Sequence, residues 1–245
     1  MKRLIGLCLV VVGLVAGGCQ ADNDQSLAVV EEKIPSLQNG CSVSASSAAI
    51  STGVLDVGLV KDQATPFGYL LYPLVRNQLV SPTTGNTTDG RFNLILTGAD
   101  VELVPDATLA PLLPAERSRF FVTSCGCTVS PGGSAVLNVE VLPRSLALAL
   151  APGVTGGSGQ PDLPTVIVRL RAVASRAGSR VTSGWVEFPV RLCRYCLTGG
   201  TPGACPAGGY SSDQVQEGGC NLIQDAAVTC CTAGGLLCGN SVPMQ

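Results

Sequence analysis

The sequence contains no histidine, and its only lysines after Arg3 are Lys33 and Lys61. Without histidine, the chain cannot use Ser-His-Asp or Cys-His catalysis, a histidine-bearing metal site or a histidine pH switch. A serine–lysine nucleophile pair has very few ways to be built. These absences remove several common classes of exported enzyme.

Aromatic and charged residues are also scarce, at 4% and 13%, whereas glycine (30) and proline (16) are abundant. Long helices usually need charged residues on their wet face, so this balance predicts many short strands joined by turns. The core must then be built from Val, Leu, Ala and Ile. If residues 1–18 are removed, 13 basic and 17 acidic residues remain. The chain therefore lacks the basic footprint of a nucleic-acid partner.

The first 18 residues have the pattern of an export signal. Lys2 and Arg3 precede an apolar run over residues 4–16, which is shorter than the roughly 20 residues that span a bilayer. The stretch over residues 14–19, LVAGGC, resembles a lipobox, although Ala16 stands where leucine is usual. The resemblance implies cleavage before Cys19 and lipidation of Cys19. The alternative is an ordinary signal peptide and a secreted soluble protein.

Residues 19–40 are mostly polar and predict a lipid-anchored tether. The membrane is thus an expected partner, through an N-terminal lipid anchor. Gln20 follows the cysteine; in the lipoproteins that the leader resembles, an aspartate there often retains the protein at the inner membrane. Its absence favours the outer membrane if the host is Gram-negative.

Residues 41–196 show short apolar segments separated by turn signals, with no sustained helical period. They predict an all-β domain, an antiparallel immunoglobulin-like β-sandwich of about seven strands, with a barrel as the alternative. The candidate strands are Gly53–Val60, Gly68–Val80, Arg91–Val104, Arg117–Thr123, Ala135–Leu142, Thr165–Ala174 and Gly184–Leu192. Residues 151–164 form a Gly/Pro-rich insert, interpreted as a surface loop.

The last two candidate strands carry the clearest alternation. Val166, Val168, Leu170 and Ala172 share one face of the first, and alternate apolar residues from Val186 to Leu192 share one face of the second. A hairpin about Gly178 and Ser179 would pair Arg171 with Glu187 and Val173 with Trp185 on the outer face. The alternation predicts clearly which face of each strand is buried, but it predicts the register between the strands less clearly.

Ten cysteines follow Cys19, and seven of them fall in the last 53 residues. An exported chain meets an oxidising compartment, so all ten are expected in disulfides, an even set of five bridges. Residues 197–245 form a cysteine-rich tail that is too glycine-rich to fold on a core of its own. At least one bridge should tie the tail to the β-domain. The predicted disulfide cysteines are Cys41, Cys125, Cys127, Cys193, Cys196, Cys205, Cys220, Cys230, Cys231 and Cys238.

Three other uses of the cysteines stay open. Cys193 and Cys196 have the C-x-x-C spacing of a redox pair, although no helical pattern follows them. The same pair with Cys230, Cys231 and Cys238 has the donors for a cysteine-only zinc site. Cys230 and Cys231 are also adjacent, as in a vicinal disulfide.

Charged groups suggest further sites. Asp100, Glu102 and Asp106 are candidate calcium ligands, with a solvated strand edge as the simpler interpretation. The candidate carboxylates for glycoside hydrolysis are Asp56, Glu102, Glu140 and Glu187, but no spacing selects a pair. The arginines at 169, 171, 176 and 180 face either anionic lipid or polysaccharide, or carboxylates of a salt-bridged surface.

The segment FPVRLCRYCL over residues 188–197 resembles the end of the β-domain in uncharacterised bacterial lipoproteins. The resemblance covers this strand and the leader and implies no activity. The sequence therefore predicts a membrane-anchored envelope lipoprotein that acts as a non-catalytic structural or binding module, without a cofactor. Its expected partner is an envelope protein or polysaccharide. The alternatives are an exported carboxylate-dependent hydrolase acting on glycans and a thiol oxidoreductase using Cys193 and Cys196.

Overall fold

The fold is mostly β, with 44% strand and 14% helix, and its sheets are antiparallel apart from one pair of strands. The prediction of an all-β protein is therefore confirmed. The structure is a computed structural model, and it describes residues 26–36, 40–62, 67–80, 90–157, 162–211, 214–217 and 219–244. Across these ranges we find no helix with the length and apolar character needed to cross a membrane. The leader and Cys19 lie outside the described residues.

Fourteen strands and two short α-helices make up the regular structure of the described residues. In chain order they are β1 (Leu27–Lys33), β2 (Ala49–Ile50), β3 (Gly53–Asp56), α1 (Val57–Asp62), β4 (Tyr69–Asn77), β5 (Leu94–Pro105), β6 (Arg119–Thr123), β7 (Thr128–Val129), β8 (Ser134–Val136), β9 (Val139–Leu142), α2 (Arg144–Leu150), β10 (Thr165–Arg176), β11 (Ser179–Thr182), β12 (Val186–Cys193), β13 (Cys230–Thr232) and β14 (Leu236–Cys238).

The strands form two larger sheets and one small one. The five-stranded sheet has the order β2-β1-β4-β8, with β9 also paired to β4. The seven-stranded sheet has the order β3-β12-β10-β5-β6, with β11 on β10 and β7 on β5. Within the described ranges, β3 and β12 are the only strands that pair in parallel. In the tail, β13 pairs with β14.

One apolar core contains residues from both large sheets. As the composition requires, its members are mainly Leu, Val and Ala. The rings of Tyr69 on β4 and Phe188 on β12 approach each other, with centroids 6.4 Å apart. The apolar row of β10, from Val166 to Ala172, is buried as its alternation predicts. Burial of apolar area on this scale is the main favourable contribution to folding.

The predicted pairing of the last two strands has the correct faces but the wrong register. Arg169, not Arg171, lies opposite Glu187, a shift of two residues. Val173 pairs with Thr182 of β11, not with Trp185. The hairpin first forms β11, and residues 183–185 then separate β11 from β12. The Ser183 hydroxyl accepts the backbone N–H of Ala172 there, which stabilises this interruption.

Residues 27–33, within the segment interpreted as a tether, form strand β1 of the five-stranded sheet. The pairing of β1 with β4 shifts between Val29 and Glu31, so Val30 is bulged and exposed. The bulge changes which side chains face inward. As a result, Glu32 lies opposite Pro73 and is buried. The part of the predicted tether before Ser26 lies outside the described residues.

The candidate strand Gly53–Val60 is shorter than predicted, because β3 ends at Asp56 and α1 begins at the next residue. The Asp56 carboxylate accepts the backbone N–H groups of Gly58 and Leu59, at 3.0 and 3.2 Å. An aspartate immediately before a helix satisfies N–H groups that have no partner inside the helix. This local signal outweighs the β propensity of the valines and leucine in α1.

The tail packs along the outer edge of β3 and reaches β4 of the other sheet. Asp56 N–H donates to Ile223 O, and Asp225 N–H donates to Val54 O. The Gln224 side chain accepts the N–H of Leu70 at 2.9 Å and donates to its carbonyl at 3.0 Å. The tail thereby covers an open strand edge, which in an isolated sheet would offer pairing to other chains.

Candidate functional site

The ten cysteines from Cys41 to Cys238 lie in five disulfides. Their separations in sequence range from 2 residues to 179 residues. The longest link joins the segment before β2 to the tail, as the odd number of cysteines before residue 193 requires. The pairs are Cys41–Cys220, Cys125–Cys127, Cys193–Cys196, Cys205–Cys231 and Cys230–Cys238.

This pairing contradicts two alternative uses of the tail cysteines. Cys230 and Cys231 are not bonded to each other, since Cys230 pairs with Cys238 and Cys231 pairs with Cys205. The sulfurs proposed for a zinc site are therefore bonded to other sulfurs. A disulfide sulfur is not the thiolate that binds zinc. The zinc and vicinal-disulfide interpretations are both wrong for this structure.

A row of alternating charges crosses the outer face of the seven-stranded sheet. Glu187 on β12, Arg169 on β10, Glu102 on β5 and Arg119 on β6 lie directly opposite one another in register. Arg169 lies 2.7 Å from Glu102 and 3.3 Å from Glu187, and Arg119 forms a further ion pair with Glu102. The arginines here face carboxylates, as the salt-bridged interpretation expects.

A second row lies beside this charge row and ends in an aromatic ring. Asp100 accepts from both Arg171 and Arg180, at 2.8 and 2.7 Å. The guanidinium of Arg171 lies 4.7 Å from the ring centroid of Trp185, and that of Arg169 lies 5.5 Å from it. Cations at these distances are attracted to the indole ring. The Trp185 side chain is held in place while 38% of the residue remains exposed.

Together the two rows line an open groove of about 520 Å³, hereafter the outer groove. Its floor is rigid because it consists of paired strands, and its walls carry guanidinium groups, carboxylates and two aromatic rings. The residues that line it are Asp100, Val101, Glu102, Arg119, Phe120, Arg169, Arg171 and Trp185.

The structure separates the carboxylates proposed for calcium. Asp100 and Glu102 are neutralised by arginines on the outer face. Asp106 lies beyond the end of β5, where its carboxylate accepts the backbone N–H groups of Thr108, Leu109 and Thr165. These three acids therefore do not converge on one cation.

The carboxylates proposed for hydrolysis do not form a facing pair within the described part of the chain. Glu102 and Glu187 flank Arg169, which neutralises both. Glu140 accepts the backbone N–H of Gly68 at 2.8 Å. Asp56 is fully buried. A glycosidase needs two carboxyl groups that face each other across the sugar, and these four side chains do not provide them.

Asp56 instead lies beside Cys193 and Cys196, and this grouping was not predicted. Asp56 and Cys193 are opposite each other in the parallel pair β3–β12. One ligand atom from each of the three residues lies within 4.8 Å of the others. Asp56 Oδ1 also accepts the N–H of Tyr195 at 2.8 Å, and Oδ2 accepts that of Leu197 at 3.1 Å. The carboxylate thus holds both helix α1 and the C-x-x-C turn.

Burial raises the pKa of Asp56, and its four backbone hydrogen bonds oppose that rise. The side chain of Tyr195 packs over Gly58, where an added Cβ would lie 2.8 Å from the ring. Its hydroxyl donates to Asp62 at 2.5 Å. That hydrogen bond is the main reason that the pKa of Tyr195 rises to about 12. The turn is therefore fixed on both sides of Cys193 and Cys196.

A second polar cluster connects the tail to the core, and no sequence pattern predicts it. The Tyr69 hydroxyl donates to the Asp225 carboxylate, at 2.8 and 2.7 Å from its two oxygens. Val54 N–H donates to the same carboxylate at 2.7 Å. Burial raises the pKa of both Tyr69 and Asp225. Gly53 is required here, because a Cβ would lie 1.8 Å from the Tyr69 hydroxyl.

No protein-family model matches this chain, and comparisons with curated proteins and with solved structures find no significant similarity.

Proposed function

We propose that the chain is an exported, membrane-anchored envelope lipoprotein that acts as a non-catalytic structural and binding module. The observation that carries this proposal is the complete pairing of the ten cysteines from Cys41 to Cys238 into five disulfides. Disulfides of this density form in oxidising compartments outside the cytoplasm. Because these ten cysteines pair with one another, the five disulfides do not require the sulfur of Cys19, which supports lipidation of that residue.

The intact mass of the mature protein, extracted from membranes without reduction, tests this proposal. We expect a chain that begins at Cys19, carries the mass of lipid acyl groups and has lost the hydrogens of five disulfides. The matched variant Cys19→Ser should keep the bridges and lose the acyl mass and the membrane association. A wild-type chain that begins at Cys19 without added lipid would contradict the anchor.

We further propose that the outer groove binds a polysaccharide of the envelope. Protein–protein interfaces are depleted of glutamate and aspartate, although they are enriched in arginine and aromatic residues, whereas this face carries carboxylates in alternation with its arginines. These charges largely neutralise one another, which favours a polar ligand over a polyanion. Exposed guanidinium and carboxylate groups offer directional hydrogen bonds to sugar hydroxyls, and Trp185 offers a flat ring for stacking.

Trp185 is the only tryptophan of the chain, so its fluorescence reports on the groove without a label. We expect a saturable change on titration with soluble peptidoglycan fragments or lipopolysaccharide core oligosaccharides. Arg171→Ala should weaken binding by roughly tenfold, since the arginine both holds the ring and lines the groove. Arg76→Ala, an exposed arginine on the other sheet, is the matched control and should have no effect. The absence of a saturable change with every oligosaccharide, or binding of a defined envelope protein instead, would contradict a polysaccharide ligand.

The proposed fold is an immunoglobulin-like β-sandwich whose cysteine-rich tail packs against one edge. The shared apolar core and the contact between Tyr69 and Phe188 support two sheets packed face to face. The parallel pair β3–β12 is a departure from a purely antiparallel sandwich. Under this proposal residues 41–196 form the β-domain with β1 added to it, and residues 197–245 form the tail.

A further inference from the structure

The two cysteines of the Cys193–Cys196 bridge differ in exposure. Cys193 is fully buried at the end of β12. Cys196 is partly exposed, three residues further on, in the turn that follows. A thiolate from outside can therefore approach Cys196 but not Cys193. Because the course of thiol–disulfide exchange depends on which sulfur is attacked, this difference makes Cys196 the attacked sulfur and Cys193 the leaving thiolate.

The buried partner of this bridge is a carboxyl group. Asp56 has no exposed surface and lies within 4.8 Å of both sulfurs. Its Oδ1 accepts three N–H groups, whereas Oδ2 accepts one, from Leu197. A carboxylate offers about four lone-pair positions in total, two on each oxygen, so Oδ2 retains capacity to hold a proton. The geometry places a proton acceptor and donor beside the sulfur that solvent does not reach.

We infer that the Cys193–Cys196 bridge is a site of thiol–disulfide exchange, in which Asp56 positions the turn and transfers the proton of Cys193. The substrate class is a dithiol, either a small molecule or a pair of cysteines in another protein. This inference adds a redox reaction to a chain that we propose above as non-catalytic, and it would replace that word while leaving the lipid anchor and the outer groove unchanged. It does not depend on the binding function, since it requires only the bridge and the buried carboxyl group.

The chemistry balances in two steps. In the first, a substrate thiolate attacks Cys196 Sγ, a mixed disulfide forms, and the bond to Cys193 breaks. The Cys193 thiolate takes a proton from protonated Asp56. In the second step, the other thiolate of the substrate attacks the substrate sulfur that is bonded to Cys196. The substrate disulfide forms, and Cys196 leaves as a thiolate. The substrate is oxidised to a disulfide and this pair is reduced by two electrons. In the reverse direction, the Asp56 carboxylate accepts the proton of Cys193.

The Cys125–Cys127 bridge is the internal control for this inference. It closes an even shorter loop, and Cys125 is exposed to solvent. Within the described part of the chain, Asp56, Cys193 and Cys196 are the only disulfide pair and carboxyl group whose ligand atoms lie within 4.8 Å of one another. The rate at which Cys125–Cys127 is reduced should therefore depend only on solvent access to the bridge and on the ionisation of the reducing thiol.

The experiment treats the oxidised, mature protein with limiting dithiothreitol across a range of pH, blocks free thiols with N-ethylmaleimide and maps the modified peptides. Rates are divided by the thiolate concentration of the reagent. We expect the corrected rate at Cys193–Cys196 to fall as pH rises and Asp56 loses the proton that it donates. The corrected rate at Cys125–Cys127 should stay constant. The mixed disulfide trapped with a monothiol should be on Cys196.

Two variants test the role of the carboxyl group. Asp56→Asn should lower the corrected rate at Cys193–Cys196 by roughly tenfold or more at acidic pH and remove its pH dependence. Asp225→Asn changes a buried carboxyl group of the tail whose donors are Tyr69, Val54 N–H and the Gln224 amide, and it should leave that rate and its pH dependence unchanged. The ionisable side chain that interacts with Asp56 is that of Tyr195, which in turn interacts with Asp62 and Arg194, and both variants retain all three.

The wild-type profile keeps the test decisive even if Asp56→Asn does not fold. Equal pH dependence at the two short bridges would overturn the inference and leave Cys193–Cys196 as a structural link. A mixed disulfide on Cys193 would overturn it as well, because the buried sulfur would then be the one attacked.

Discussion

The two large sheets and the cysteine-rich tail are stabilised by different means. In the sheets, apolar rows such as that of β10 are fully buried and the backbone is paired strand to strand. In the tail, the strands are the short pair β13–β14, and two disulfides cross-link it internally. Its attachment to the sheets comes from the Cys41–Cys220 disulfide, from Gln224 and Asp225, and from a few buried side chains such as Ile223. The sheets therefore depend mainly on buried apolar area. The tail buries fewer apolar side chains and depends more on its disulfides and on its hydrogen bonds to the sheets.

The same difference appears in two buried carboxyl groups. Asp225 of the tail accepts from Tyr69, Val54 N–H and the Gln224 amide. Glu32 of β1 is buried in the sheets with both carboxylate oxygens lacking a hydrogen-bond partner. A buried polar group stabilises a fold only when its partners are present, and otherwise it costs free energy. The tail supplies such partners, and the core around Glu32 does not.

Glu32 provides the largest expected effect. Burial raises its pKa from 4.5 to about 8. The unfolded chain loses this proton near the lower value and the folded chain near the higher one. The contribution of Glu32 to stability is therefore fully present below the lower pKa. As pH rises from the lower to the higher pKa, the free energy of unfolding falls by about 3–5 kcal/mol. Glu32→Gln should remove the part of this fall that Glu32 causes, as measured by denaturant unfolding at both ends of the interval. Asp56 and Asp225, whose pKa values burial also raises, are unchanged in this variant. Glu187→Gln, on the exposed face, is the control and should retain the whole fall.

A cavity in the core should cost almost as much. Leu170 is fully buried at the centre of β10. Leu170→Ala should lower the free energy of unfolding by about 2–5 kcal/mol, because it removes buried methyl groups and leaves a space. Leu237→Ala in β14 removes the same atoms from a half-buried position and should cost about 1 kcal/mol or less. Equal losses at the two positions would contradict the contrast between sheets and tail.

Removal of the long bridge should release the tail. The Cys41–Cys220 bridge closes 179 residues, whereas Cys125–Cys127 closes 2. Replacing Cys41 and Cys220 together by Ala should cost about 2–4 kcal/mol and expose the tail to protease, because the unfolded chain gains the freedom of a long open loop. Replacing Cys125 and Cys127 by Ala should cost less than about 2 kcal/mol, since the loop is short.

The hydroxyl of Tyr69 should have the smallest of these effects. Tyr69→Phe keeps the ring against Phe188 and removes the donor to Asp225. The expected loss is about 1–2 kcal/mol, since Asp225 keeps its other donors. Tyr72→Phe, a half-buried tyrosine of the same strand, should change stability by less than about 0.5 kcal/mol. A similar loss in both variants would show that the link between Tyr69 and Asp225 contributes nothing specific.

The parts of this fold that follow from apolar alternation were predictable. Each of the seven candidate segments contains a strand, and the buried face of β10 is the predicted one. Apolar alternation does not show where a strand is interrupted. Because residues 183–185 interrupt this hairpin, the predicted register was wrong by two residues. It also does not report strand β1, where a bulge and two glutamates hide the pattern.

The site residues were predictable only in part. The cysteines identify the C-x-x-C pair, but Asp56 is 137 residues away from Cys193 in the sequence. Only the parallel pairing of β3 with β12 brings the two residues together. An aspartate directly before a short apolar segment indicates a helix cap, and that is the one local signal the sequence offered. Tyr69 and Val54, which donate to Asp225, are more than 150 residues away from it in the sequence, so no local pattern predicts these contacts.

Hydrogen exchange of the oxidised and the fully reduced protein tests most directly whether sheets and tail are stabilised by different means. We expect reduction to abolish amide protection in residues 219–244, while the central strands β5, β10 and β12 remain protected. Loss of protection in the tail and in these central strands to the same extent would contradict the account, because it would show that the disulfides, and not buried apolar area, stabilise the sheets.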